Sequence, residues 1–383
     1  MFSSTSSKKN KNKNQTLNTD RNNQIVTEKP IDPTIDGLYI RGYRQTYNDN
    51  VFLKDQANNT FEPGCKYVDI VYTWVNGSDP INIENRNIYS AEGNKEMLLK
   101  ESNTDARFRD FGILKYSLRS VRKNASWIRK IFIVTANQIP SWFNTSNNDN
   151  VEFIFHEEYY LNKSHLPTFN SNSIEGNFHN LPEKVSNCFL YLNDDIFFKN
   201  PVELSDFFDE KYKAHIFQRK QIISSHSQLP GDFVDSLQYT NMVYTNRYLD
   251  PIWFRSKRYR SDHGVLIFNK NLLKMAYRDL ITLANFTSVN RFRDPKDIST
   301  PFAHLQYAKR YSTFQVKPSQ NAYFSLNDNN FEVVLNEIRD SSYTYKTVCL
   351  NDAFRNPNES VYFKIDSFLN DHFPVPSPYE NKY

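Results

Sequence analysis

Asp194 and Asp195 stand side by side directly behind the apolar run "FLYL" (189–192). Two adjacent carboxylates at a strand end cannot both ionise cheaply unless a cation lies beside them. Carboxylates that share a pocket with phosphate suit Mg²⁺ or Mn²⁺, which bind through one or two acidic side chains and the substrate's own oxygens. The bland alternative is an ordinary Asn-Asp-Asp turn. A second constellation is "WVNGSD" (74–79), also placed straight after an apolar run. Trp74, Asn76 and Asp79 there offer a ring to stack on, an amide to read a base edge and a turn that lets backbone approach phosphate. The competing interpretation is a turn that carries a core tryptophan.

Cations and a base are available for the same chemistry. Arg107, Arg109 and Arg119 flank or occupy a helical stretch, and Arg291 and Arg293 occur in "NRFRDPKD". Guanidinium forks match phosphate oxygens and the charge of a leaving group, although an isolated arginine is more often a solubilising surface group. His263, in "SDHGVLIF", precedes an apolar run. A histidine at such an edge is commonly structural, yet a base with pKa near neutrality is what removing a proton from a sugar hydroxyl requires. The chain has no Walker-type glycine loop, no G-x-G-x-x-G, no G-x-S-x-G and no H-E-x-x-H. With nine glycines in all, phosphate must be held by side chains and metal.

The elements that position these groups are legible from periodicity. "VDIVYTW" (68–74), "IFIVTA" (131–136), "VEFIFH" (151–156) and "FLYL" (189–192) read as buried strands. Between the first two lies "FGILKYSLRSVRKNASWIRK", whose Ile113, Leu114, Leu118, Val121 and Ile128 recur at helical spacing. Residues 271–283 and 302–310 also carry helical periodicity, and "DSFLNDHFPVPSPYE" suggests a chain wrapping back over a surface. Strand and helix in alternation predict an α/β core with a parallel sheet and helices on its faces. Such sheets bind ligands beyond the carboxyl ends of their strands, so the Trp74 turn and the acidic pair should share one rim.

Bulk properties set limits. The 383 residues fit one large domain or two ordinary ones; 39% are hydrophobic and 15% aromatic, enough for a sizeable core. The net charge of +4, from 47 basic and 43 acidic residues, lacks the concentrated basic stripe of a nucleic-acid binder. No apolar run approaches the roughly 18 residues of a membrane span, and the N-terminus lacks the apolar core of a signal peptide. The expectation is a soluble, cytoplasmic chain. Residues 1–30, rich in Ser, Lys, Asn and Thr, predict a disordered tail ahead of a single domain over 31–383, in which 200–260 is a candidate inserted subdomain. Cys65, Cys188 and Cys349 lie far apart, which argues against a disulfide framework and a zinc site. Sequons at Asn58, Asn76, Asn124, Asn162 and Asn285 are expected by chance in so Asn-rich a chain.

Together the motifs resemble the Stealth family of sugar-phosphate transferases, including its N-acetylglucosamine-1-phosphotransferase members. The resemblance rests on four blocks: "DIVYTWVNGSDP"; "RFRDFGILKYSLRSVRKNASWIRKIFIVTANQIPSWFN" continuing through "SHLPTFNSNSIE" to "FLYLNDDIFFKNPV"; "DHGVLIFNKNLL" with "VNRFRDPKDIS"; and "CLNDAF" closing with "FPVPSPYE". It implies a Rossmann-like, glycosyltransferase-A-like core with a mainly parallel sheet and helices on both faces, and transfer of a sugar 1-phosphate, such as N-acetylglucosamine 1-phosphate, from a UDP-sugar to a glycan hydroxyl with release of UMP. It further implies nucleotide binding by Trp74, Asn76 and Asp79, and Mg²⁺ or Mn²⁺ at Asp194 and Asp195 with Asn351 and Asp352 as helpers. His263, Arg293, Arg119 and Glu175 of "SNSIE" fall on positions in or around the family's active site.

The expected partners are therefore UDP-N-acetylglucosamine or a similar nucleotide sugar and a glycan acceptor, without nucleic acid; a homodimer is compatible with the sequence. Only residues 203–261 separate the second block from the third, leaving no room for the recognition modules of the large lysosomal-type members. That makes a simpler acceptor the expectation, while the family resemblance points to the Golgi. Two alternatives remain open: a metal-dependent glycosyltransferase releasing UDP, and a non-catalytic glycan-binding protein.

Overall fold

The structure is a computed structural model that describes residues 65–381, apart from residues 66, 93–103, 147–149, 228–236, 313–314 and 341–343. The described residues all fall within one compact unit, Thr46–Tyr383. The tail expected over 1–30, the domain boundary at 31 and the Asn58 sequon lie outside them.

Four parallel strands form the heart of the central sheet: β1 (Val68–Thr73), β2 (Ile131–Thr135), β3 (Val151–Phe155) and β4 (Cys188–Asn193). Their order is β3-β2-β1-β4, and β8 (Leu266–Asn269) closes the edge antiparallel to β4. Strands β1, β2 and β4 are almost continuously apolar because both faces are covered. Side chains alternate between faces along each strand. Ile70, Tyr72, Ile133, Leu190 and Leu192 pack on one side with Leu114, Leu118 and Val121 of the helix Ile113–Asn124. Val71, Phe132, Val134, Phe189 and Tyr191 pack on the other with Phe178 and Leu273. The expected Rossmann-like class, parallel sheet with helices on both faces, is what the chain adopts.

Two small sheets complete the fold. β5 (Ile196–Phe198) pairs antiparallel with β11 (Thr347–Asp352), which pairs parallel with β10 (Asn321–Leu326). Within 200–260, β6 (Ile216–Ser224) pairs with β7 (Lys257–Ser261) and with β9 (Val316–Lys317), beside the helix Leu237–Trp253. The chain thus leaves the central sheet at Asn193, turns through Asp194 and Asp195, and enters a second sheet at Ile196. The acidic pair marks the switch from one sheet to the other.

Several expectations need correction. Cys65 and Cys188 form a disulfide, with Cα atoms 5.3 Å apart, and Cys349 is free and buried. Parallel pairing of β1 with β4 sets Val68 opposite Cys188, so strand order joins two cysteines 123 residues apart in sequence. The helical periodicity of 271–283 is borne out, divided between two helices, Lys270–Asp279 and Ile281–Val289. "DSFLNDH" ends the helix Glu359–His372, and only the segment behind it runs back along the surface.

Candidate active site

The register of β1 and β4 places Thr73 opposite Asn193. Trp74 and Asp194 therefore leave the sheet at the same level, at its carboxyl edge. The second sheet is stitched to this edge by the Leu350 N–H, which donates to the Asp195 carbonyl at 2.9 Å. Between them opens a cavity of about 540 Å³ lined by Trp74, Glu175, Asp194, Asp195, His263, Arg293, Asn351 and Asp352. That volume suits a nucleotide-sized ligand.

The acidic pair is poorly satisfied by protein. Burial, then the charges of Asp195 and Asp110, push the Asp194 carboxyl well above its usual range. Burial raises Asp195 to about 6. The Cys349 thiol donates to Asp195 Oδ2 at 3.5 Å, while the buried Oδ1 has no hydrogen-bond partner. Among the described residues, no group of three or more His, Cys, Asp or Glu could enclose a metal ion. An orphaned carboxylate oxygen beside a second carboxylate, without a protein cage, fits a divalent ion that takes its other ligands from substrate oxygens and water.

Asp352 is engaged by protein. Its Oδ2 accepts from Arg109 Nη1 at 2.6 Å and its Oδ1 from the Phe354 N–H at 2.9 Å. That ion pair anchors Arg109 at the cavity wall, which Asp352 lines together with the acidic pair. Asn351 lines the cavity, and its amide donates to the Asp352 carbonyl at 3.3 Å.

Arg293 lines the same cavity and brings positive charge to it. Among the described residues no hydrogen bond or ion pair engages its guanidinium, and burial together with the Arg107 charge lowers its pKa to about 10. Glu175 lies nearby: burial raises its carboxyl to about 7, and the Tyr191 hydroxyl donates to it at 3.0 Å. Glu175 thus bonds to Tyr191 rather than to His263. The His263 ring stands edge-on to Tyr323 at 4.7 Å, with Nδ1 3.4 Å from Gln238 Nε2. Burial, reinforced by Arg219, depresses its pKa to about 4, so the imidazole is neutral near pH 7. Gly264 allows this packing, because a Cβ there would lie 2.3 Å from the Asn321 side chain.

Three predicted site residues are placed elsewhere. Asp79 Oδ1 accepts from the Asn82 N–H at 2.9 Å, capping the helix Pro80–Glu92. Asn76 folds its own turn: its Oδ1 accepts from the Ser78 N–H at 3.0 Å, and its backbone exchanges two hydrogen bonds with the Gln138 amide. Neither lines the cavity. Trp74 does, but its ring is buried and its Nε1 donates to Asp110 Oδ2 at 2.9 Å. Arg119 lies on the core side of its helix. It forms a two-pronged pair with Glu380 at 2.7 and 2.5 Å and donates to the Phe373 carbonyl at 2.7 Å. It clasps the C-terminal segment and does not line the cavity.

Asp110 is the residue sequence reasoning missed. It joins Trp74 to the acidic pair electrostatically and caps the turn into the next helix by accepting from the Gly112 N–H at 2.6 Å. The signal was its place in "RFRDFG", between two candidate arginines and a glycine that adopts a positive φ of 72°.

Conserved region 1 of the Stealth proteins matches residues 66–93, conserved region 2 residues 107–216 and conserved region 4 residues 336–383. An exopolysaccharide phosphotransferase of Streptomyces coelicolor is 32% identical over 317 residues, covering 82% of this chain and 57% of its own length. One from Mycobacterium leprae is 28% identical over 363 residues, covering 93% and 64%. A capsular polysaccharide phosphotransferase of Haemophilus influenzae is 27% identical over 312 residues, covering 80% and 84%. The chain thus spans between about half and two thirds of the exopolysaccharide relatives' length. Among solved structures, a galactosyltransferase complexed with donor and acceptor sugar analogs is 12% identical, covering 81% of this chain and 98% of its own, with a TM-score of 0.33.

Proposed function

The chain belongs to the Stealth family, and on that premise we propose that it transfers a sugar 1-phosphate from a UDP-sugar to a glycan hydroxyl, releasing UMP. By the family resemblance the donor is UDP-N-acetylglucosamine. The observation that carries this reading is one cavity lined both by an acidic pair with an orphaned oxygen and by a guanidinium that no hydrogen bond or ion pair engages among the described residues. The names of the relatives, phosphotransferases acting on exopolysaccharide or capsular polysaccharide, favour a polysaccharide or similar glycan as acceptor.

The reaction forms a bond from the acceptor oxygen to the β-phosphorus and breaks the bond from that phosphorus to the oxygen of UMP. Catalysis of such a step is mostly positioning and charge stabilisation. Asp194 and Asp195 would hold Mg²⁺ or Mn²⁺, which when bound offsets negative charge on the diphosphate. Arg293 neutralises the non-bridging oxygens of the transferred group. His263 is neutral, as a base must be, and takes the acceptor's proton. Its depressed pKa reflects burial among cations, so an anionic diphosphate beside it raises its basicity during the reaction. Glu175, held by Tyr191, orients acceptor hydroxyls.

Incubation of the purified protein with UDP-sugars, Mg²⁺ and simple glycans tests this directly. UMP and a sugar phosphodiester are expected. Release of UDP instead would replace the reading with sugar-only transfer, and no nucleotide release with any donor would overturn it.

A further inference from the structure

Beyond the cavity wall, Asp297 is fully buried and has an unusually complete set of partners. Its Oδ2 accepts from Asn170 Nδ2 at 2.8 Å, from Asn172 Nδ2 at 3.2 Å and from the Asp294 N–H at 2.9 Å. Its Oδ1 accepts from Asn290 Nδ2 at 2.8 Å. These donors belong to two segments that supply the site. Asn170 caps the helix Ser171–Gly176, which carries Glu175. Asn290 and Asp294 bracket Arg293. A third element locks the assembly: Asn241, on the helix Leu237–Trp253, donates to the Asp294 carbonyl at 2.7 Å and accepts from Asn172 at 3.0 Å.

Arg293 has no hydrogen bond or ion pair of its own among the described residues, so what its guanidinium can reach depends on how the 290–297 backbone is held. Resting on the donor site proposed above, we propose that Asp297 is a positioning residue that sets Arg293 against the donor diphosphate by clamping the 290–297 loop onto the start of the Glu175 helix. Four N–H donors converge on one carboxylate that does not line the cavity. An amide at that position would turn an NH₂ group toward donors, leaving buried N–H groups unpaired and the loop free to shift. A displacement of about 1 Å at a charge-stabilising group can cost roughly 10²-fold.

The test is a double-mutant cycle on UDP affinity, measured calorimetrically with excess Mg²⁺ for the wild type, Arg293→Ala, Asp297→Asn and the double variant. Asp297→Asn should weaken UDP roughly 10–100-fold, and the double variant should bind no worse than Arg293→Ala, because a missing guanidinium cannot be misplaced. Losses that simply add would overturn the positioning role. Should Asp297→Asn not fold, Asn290→Ala, which removes one donor outside the cavity, takes its place in the cycle: non-additive losses again support the clamp, and additive ones overturn it. Wild-type protein that fails to bind UDP would overturn the donor reading itself, whereas binding with additive losses overturns only this inference.

Discussion

His263 and the pair Asp194–Asp195 are shifted by the same force in opposite directions, because burial penalises whichever form carries charge. The imidazole becomes neutral and the carboxyls resist ionising until a cation arrives. Replacing His263 by Ala should lower turnover roughly 10²–10⁴-fold while leaving UDP-sugar affinity nearly unchanged; an equal loss of affinity would assign the ring to binding instead. Asp194→Asn should abolish transfer in a way that raising Mg²⁺ does not restore, read as UMP release across a metal titration. Full activity in that variant would remove the metal from this corner of the site. These side chains were legible in the sequence because each stands at the edge of an apolar run. Asp110 was not, since its importance comes from facing Trp74 and Asp194 across a fold that local pattern does not reveal.

At the scale of elements, the turn "WVNGSD" shows how a motif can serve structure more than ligand. Gly77 is obligatory there: its N–H donates to the Phe108 carbonyl at 2.9 Å, and a Cβ would lie 2.3 Å from that oxygen. Asp79 and Asn76 spend their side chains on the helix cap and the turn, so that of the three predicted nucleotide-binding residues Trp74 is the one that lines the cavity. Helical periodicity likewise placed Arg119 on a helix correctly but could not say which face it served. Its side chain and that of Glu380 are only 7% and 8% exposed. Arg119→Ala, which strands a buried carboxylate, should cost about 3–5 kcal/mol in denaturant unfolding with little change in UMP release at a temperature where the variant is folded. Intact stability with a large loss of turnover would return Arg119 to the catalytic residues.

On the scale of the whole molecule, Cys65–Cys188 ties the entrance of β1 to the start of β4, the two strands whose far ends carry Trp74 and the acidic pair. Replacing both cysteines by Ser should destabilise the protein by about 2–5 kcal/mol, seen as a lowered midpoint that dithiothreitol reproduces in the wild type. Identical midpoints with and without reductant would mean that the bond is not formed. Such bridges persist in oxidising compartments, so the bond bears on the cytoplasmic expectation more than any hydropathy pattern does. No helix among the described residues is long and apolar enough to cross a membrane.

Local pattern alone determined the four parallel strands of the central sheet, the parallel α/β class and the acidic and basic candidates, because apolar periodicity and residue chemistry are written in neighbouring positions. Tertiary structure decided which candidates meet. Strand order joined Cys65 to Cys188, strand register set Trp74 level with Asp194, and packing turned Arg119 and Asp79 away from the cavity while bringing in Asp110. Contacts between residues far apart in the chain depend on how sheets and helices stack, and no spacing along the sequence encodes that geometry.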